Sequence, residues 1–180
     1  LNTLNDIFIE KLVKRKSTTS IIALKALIVV ASLIICVSVL FTPLTSVAGP
    51  VSFFVVGWVA WILIRRLNFE FEYSLTNGEL DIDIIIGLKK RNHMLSLRFS
   101  DVDFMAPVGE QYADKFSDKN VETVYDAASS KDSPDRWFVI FRKDGHRCKL
   151  IFEPNERMVE GMHQYNPQNV KMPPKAVSEE

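Results

Sequence analysis

Cysteine is scarce in this 180-residue chain, with Cys36 inside an apolar run and Cys148 in a strand-like segment. At that separation and in those settings the two build neither a disulfide framework nor a metal knuckle, and they imply reduced thiols in a cytoplasmic setting. Glycine is scarce too, and none of the seven falls in a Gly-rich phosphate loop or a Gly-x-Ser-x-Gly elbow. His93, His146 and His163 lack the HxxxH and HExxH spacings of zinc ligands and read as isolated surface groups. No long basic stripe with interleaved aromatics occurs, so nucleic acid is not an expected partner. With these absences go the expected enzyme, metal, cofactor and small-molecule substrate. Net charge is also missing, but by cancellation. Residues 1–25 carry five Lys/Arg against two acids, and everything after residue 64 carries 17 against 20.

What the chain does have is two long apolar runs. Ile21 to Phe41 is broken only by Lys25, and at 1.5 Å per residue it spans the roughly 30 Å hydrocarbon core of a bilayer. Lys25 lies about one turn from the end, where its stem can carry the ammonium back to the headgroups, so it needs no transport role. The second run, Leu44 to Ile64, ends at Arg65 and Arg66 with Trp58 and Trp61 nearby, a pattern suited to the interfacial belt. Gly49-Pro50 either kinks this helix or places Pro50 in its first turn. Lys11, Lys14, Arg15, Lys16 and Lys25 precede the first run, Arg65 and Arg66 follow the second, and the connection is uncharged, so both termini are expected on the cytoplasmic side of the membrane. Ser46-Val47-Ala48 has the look of a signal-cleavage site, but the apolar run is too long for a signal and a second span follows. Ahead of the first run, Leu4, Ile7, Phe8 and Leu12 recur at helical spacing. This stretch is either a short amphipathic helix on the inner leaflet or a frayed basic leader.

After Arg66 the pattern changes to alternation. Phe69, Phe71, Tyr73 and Leu75 share one parity, Asn77-Gly78 supplies a two-residue hairpin turn, and Leu80, Ile82, Ile84 and Ile86 alternate with Glu79, Asp81 and Asp83. The acids therefore stand on the outer face of a sheet rather than in an acid–base or metal cluster. Further strands are expected at 93–99, 102–108, 121–125, 137–142 and 147–152, with polar loops at 109–120 and 127–135 and a turn at Asp144-Gly145. A helix from about Pro154 presents Met158, Val159, Met162 and Tyr165 on one stripe before Pro167. The predicted organisation is an N-terminal basic amphipathic segment (1–19), a two-helix transmembrane hairpin (20–66), a mainly-β domain (67–167) and a disordered tail (168–180).

Seven strands closed by a C-terminal helix is the layout of a pleckstrin-homology-like (PH-like) barrel. The run from Tyr73 to Ile82, a Tyr-x-Leu-Thr strand, a tight turn and a second strand, followed by Gly87-Leu88-Lys89-Lys90-Arg91, resembles the bacterial membrane-anchored PH-like families. More narrowly, the chain resembles a group of two-helix firmicute membrane proteins of unknown function. The resemblance implies a seven-stranded PH-like barrel capped by a helix. With the missing catalytic set it implies a non-enzymatic interaction module that binds protein partners or a second copy of itself at the inner leaflet. The alternative is sensing of anionic lipid or the envelope, for which Arg65, Arg66, Lys89, Lys90 and Arg91 are the candidate headgroup contacts. Eukaryotic PH domains that bind phosphoinositides use basic residues around the first hairpin loop, whereas here that loop is the short Asn77-Gly78 turn.

Overall fold

The computed structural model describes residues 8–17, 19–41, 45–87 and 90–172. The described residues divide into two compact units, one holding those within 8–15, 70–84 and 91–172 and the other those within 16–69 and 85–90.

The second unit is built on two helices, α1 (Thr19–Leu40) and α2 (Thr45–Arg66). Both are long and apolar enough to cross a membrane. Leu27, Ile34, Phe53 and Phe54 stand bare along them, and almost none of either apolar window is covered by protein. Pro50 lies inside α2 rather than in its first turn. Its missing N–H leaves one carbonyl of the preceding turn without its helical donor, and the Ser52 hydroxyl donates nearby to the Gly49 carbonyl at 2.8 Å. The Lys25 ammonium folds back to the helix ends, donating to Ser17 Oγ at 3.1 Å and Asn68 Oδ1 at 2.7 Å. Its charge is thus held by polar side chains at the ends of the helices.

Eight strands among the described residues form two four-stranded sheets; they belong to the first unit except for Phe69, Ile85, Ile86 and Lys90, which fall in the second. Sheet one runs β1-β2-β3-β4, with β1 Phe8–Lys14, β2 Phe69–Thr76, β3 Glu79–Ile86 and β4 Lys90–Arg98. Sheet two runs β5-β7-β8-β6, with β5 Val102–Pro107, β6 Thr123–Asp126, β7 Trp137–Lys143 and β8 His146–Phe152. Both tight hairpins have the positive φ values that a primed turn needs: 48° and 83° at Asn77-Gly78, 54° and 83° at Asp144-Gly145. The core gathers Tyr73, Leu75, Leu80 and Ile82 from sheet one, Leu150 and Phe152 from sheet two, and Met158 and Met162 from the C-terminal helix (Glu156–Tyr165), all fully buried. Asn155 caps that helix by accepting from the Met158 N–H at 2.8 Å. Its last residue, Tyr165, lies against Gly78, where any Cβ would meet the ring at 2.6 Å.

Four expectations are corrected. First, residues 8–14 form a strand, not an amphipathic helix; β1 pairs antiparallel with β2 from Phe8↔Thr76 to Lys14↔Glu70. The i, i+4 pair Phe8 and Leu12 looked like a helical stripe, yet both are exposed while Ile9, Lys11 and Val13 point inward. Second, this added strand makes eight rather than seven, and the described strands form two sheets without a closed barrel. Third, the loop expected at 109–120 holds a 3-10 turn (Glu110–Tyr112) and a short helix, α3 (Ala113–Phe116). Phe116 stacks edge-on against Phe138 at 5.4 Å and Tyr112 against Phe104 at 5.6 Å, which covers the second face of β7 and explains its unbroken apolar run. Fourth, the start expected for the tail is ordered. Val170 is buried and bridges to Met105, with Met105 and Lys171 exchanging backbone bonds with Asn169 and Met105 at 2.9 Å each; residues 173–180 lie outside the described residues.

Candidate functional site

Three of the five expected headgroup contacts meet in one cleft. On α2, Trp61 and Arg65 are four residues apart, as are Ile62 and Arg66, so the two pairs form adjacent stripes of one helix face. The Arg65 guanidinium lies over the Trp61 ring, 4.5 Å from its centroid, in a cation–π contact that fixes both side chains. Opposite them runs the end of β3, where Gly87, at φ 60°, takes a left-handed conformation and donates its N–H to the Asn68 carbonyl at 3.3 Å. The resulting cleft of about 540 Å³ is lined by Trp61, Ile62, Arg65, Arg66, Ile86, Gly87 and Lys90. All seven belong to the helical unit. Among the described residues no carboxylate pairs with Arg65, Arg66 or Lys90, so three positive charges share one concavity beside apolar walls. Arg91 does not line it and instead donates to Glu72 at 2.8 Å. Lys89 lies outside the described residues.

Sequence reasoning named the cations but missed their apolar companions. Trp61 carried a signal, its four-residue spacing to Arg65, which was read only as part of an aromatic belt. Gly87 carried another, a glycine directly before a basic turn.

The β-rich unit holds a constellation that needs weighing as a catalyst. His93 Nδ1 is 3.0 Å from Asp83 Oδ1, and His93 Nε2 is 3.2 Å from Ser96 Oγ. The order of contacts is that of a serine nucleophile, its base and an orienting acid. The Ser96 hydroxyl, however, donates its single proton to Asp81, so the imidazole has none to take from it. His93 and Ser96 also stand exposed on the outer face of β3 and β4, where nothing excludes water. The set is a surface hydrogen-bond network that satisfies Asp81 and Asp83, two of the acids expected on that face. Among the described residues no group of three or more His, Cys, Asp or Glu side chains is placed to hold a metal. A smaller cavity of about 240 Å³ in this unit mixes Arg98, Arg142 and Lys143 with Glu79 and Asp101 and favours no ligand of one charge.

The first hairpin loop is the Asn77-Gly78 turn packed on Tyr165, and it offers no cationic side chain. The model of a family described as Bacterial PH-like domain (DUF6106) matches residues 5–172. No curated protein and no solved structure matches the chain.

Proposed function

The chain belongs to the bacterial PH-like domain family, and from that premise we propose that it works as a membrane-anchored, non-enzymatic interaction module. Its two helices cross the cell membrane as a hairpin with both termini in the cytoplasm. Its PH-like domain binds a protein partner, or a second copy of the chain, at the inner leaflet. The observation that carries this reading is the pairing of β1 with β2, because one strand precedes both helices, the other follows them, and seven consecutive residue pairs join them in one sheet. Strands that share a sheet share a side of the membrane, so the two intervening helices both cross or neither does. Arg65 and Arg66 at the end of α2 favour the cytoplasm for that side, by the excess of cations on cytoplasmic flanks. The non-enzymatic part is supported by the committed Ser96 proton and by the family itself, which is generally non-catalytic.

The test is a crosslinking pull-down of the full chain from its native membrane beside a chain ending at Arg66. Partners captured by the first and lost by the second are the expected result. Capture of the same partners by both would place recognition in the helices and sink the reading. A second reading, sensing of anionic lipid, is favoured by the cleft that gathers Arg65, Arg66 and Lys90.

A further inference from the structure

We propose that the cleft at the end of α2 seats the phosphate of one anionic phospholipid headgroup, with Arg65, Arg66 and Lys90 as its cations and Trp61, Ile62 and Ile86 as the apolar wall for the adjoining glycerol and upper acyl chain. The proposal rests on the membrane-anchored reading above.

A phosphodiester recognised at a membrane border needs positive charge without competing carboxylates, a donor of fixed geometry, and apolar surface on one side only. The cleft meets each requirement. Its three cations have no acidic partner among the described residues. The α2 C-terminus contributes about half a negative charge, which three cations outweigh. Arg65 is already held over Trp61, so its planar fork of donors is oriented before a ligand arrives and little rotamer freedom is lost on binding. The volume of about 540 Å³ is within the usual range of small-molecule sites, roughly 300–1,000 Å³. Lipid rather than soluble phosphate is the occupant because of the wall. Trp61 and Ile62 belong to the last turns of a helix that fits the hydrocarbon core, and a free phosphate would leave that apolar surface without a partner.

The experiment is native mass spectrometry of the full chain in uncharged detergent, titrated with phosphatidylglycerol or phosphatidylcholine. The wild-type chain is expected to retain one phosphatidylglycerol and no phosphatidylcholine. Each of Arg65→Gln, Arg66→Gln and Lys90→Gln should weaken retention about fivefold, and the triple variant on the order of a hundredfold. Lys119→Gln/Lys131→Gln/Arg157→Gln removes three exposed cations elsewhere and should leave retention unchanged. The single variants decide the matter if the triple variant does not fold. Equal retention by wild type and the cleft variants overturns the proposal. Lipid-free chain that binds inorganic phosphate as tightly as phosphatidylglycerol, through the same three residues, overturns the lipid assignment in favour of a soluble phosphate. Alkaline carbonate separates the two levels: a chain it strips from membranes defeats the anchored reading itself, whereas a resistant chain with charge-independent lipid retention defeats this inference alone.

Discussion

Tyr73 joins parts of the chain that are far apart in sequence. Fully buried, it donates its hydroxyl proton to the Ala127 carbonyl at 2.5 Å and accepts from the Glu153 N–H at 3.3 Å. Burial, seconded by the charges of Glu153 and Asp126, pushes its pKa well above the ordinary phenol value. A phenol whose folded-state pKa is raised adds stability that is complete below its unfolded pKa, about 10, and is lost as pH climbs from there toward the folded value. Tyr73→Phe should therefore lower stability by about 1–3 kcal/mol at neutral pH and flatten the alkaline fall of the thermal midpoint. Identical alkaline slopes in wild type and variant would remove Tyr73 from that account. The inward parity of Tyr73 was legible in the alternation from Phe69 to Leu75, but its acceptor was not, because Ala127 sits in a loop that no period describes. The same distance hid the work of two N-terminal cations. Lys11 and Arg15 read as topology charges, yet Lys11 donates to the Glu153 carbonyl at 2.8 Å and Arg15 to the Ala128 carbonyl at 3.0 Å and to Asp126 at 3.2 Å.

Among the elements, β1 is the one whose role the sequence concealed. Alternation normally reveals a strand by placing apolar residues inward, but an edge strand with a lysine on its inward parity and Phe8 and Leu12 on the outward one inverts the signal. Val13 is its single fully covered side chain. Val13→Asp should cost about 3 kcal/mol or more by placing an unpaired carboxylate there, and should speed amide hydrogen exchange in β2. An amphipathic helix lying on the membrane would leave β2 exchange untouched by that change. The hairpins were legible because Asn-Gly and Asp-Gly state their own backbone geometry. The short helix α3 was not, since four residues are too few to show a helical period. The parallel pairing of β6 with β8, Thr123↔Cys148 to Asp126↔Ile151, was equally hidden, because sequence marks a strand but not its neighbour.

For the whole molecule, the two long apolar helices were plain from composition and length, whereas the cleft was not, since no spacing in the sequence brings Lys90 beside the end of α2. The proposed arrangement predicts a labelling pattern. In a Cys36→Ser/Cys148→Ser chain, Phe41→Cys at the exposed end of α1 should react with a membrane-impermeant maleimide in intact cells. Asp132→Cys, exposed in the β-rich unit, should react only after lysis. The reverse pattern, or reaction of both in intact cells, would invert or abolish the hairpin. The β1–β2 pairing also sets an order of events during synthesis. The ribosome delivers β1 first and its partner about 60 residues later, a wait of several seconds at bacterial speeds. On the proposed two-span topology, both helices would emerge in that interval and insertion would run ahead of sheet closure. A chain that left only one helix in the bilayer would strand β1 across the membrane from β2, and the domain would lack an edge. Completion of the sheet would then work as a proofreading step on insertion, rewarding only molecules in which both crossings were made.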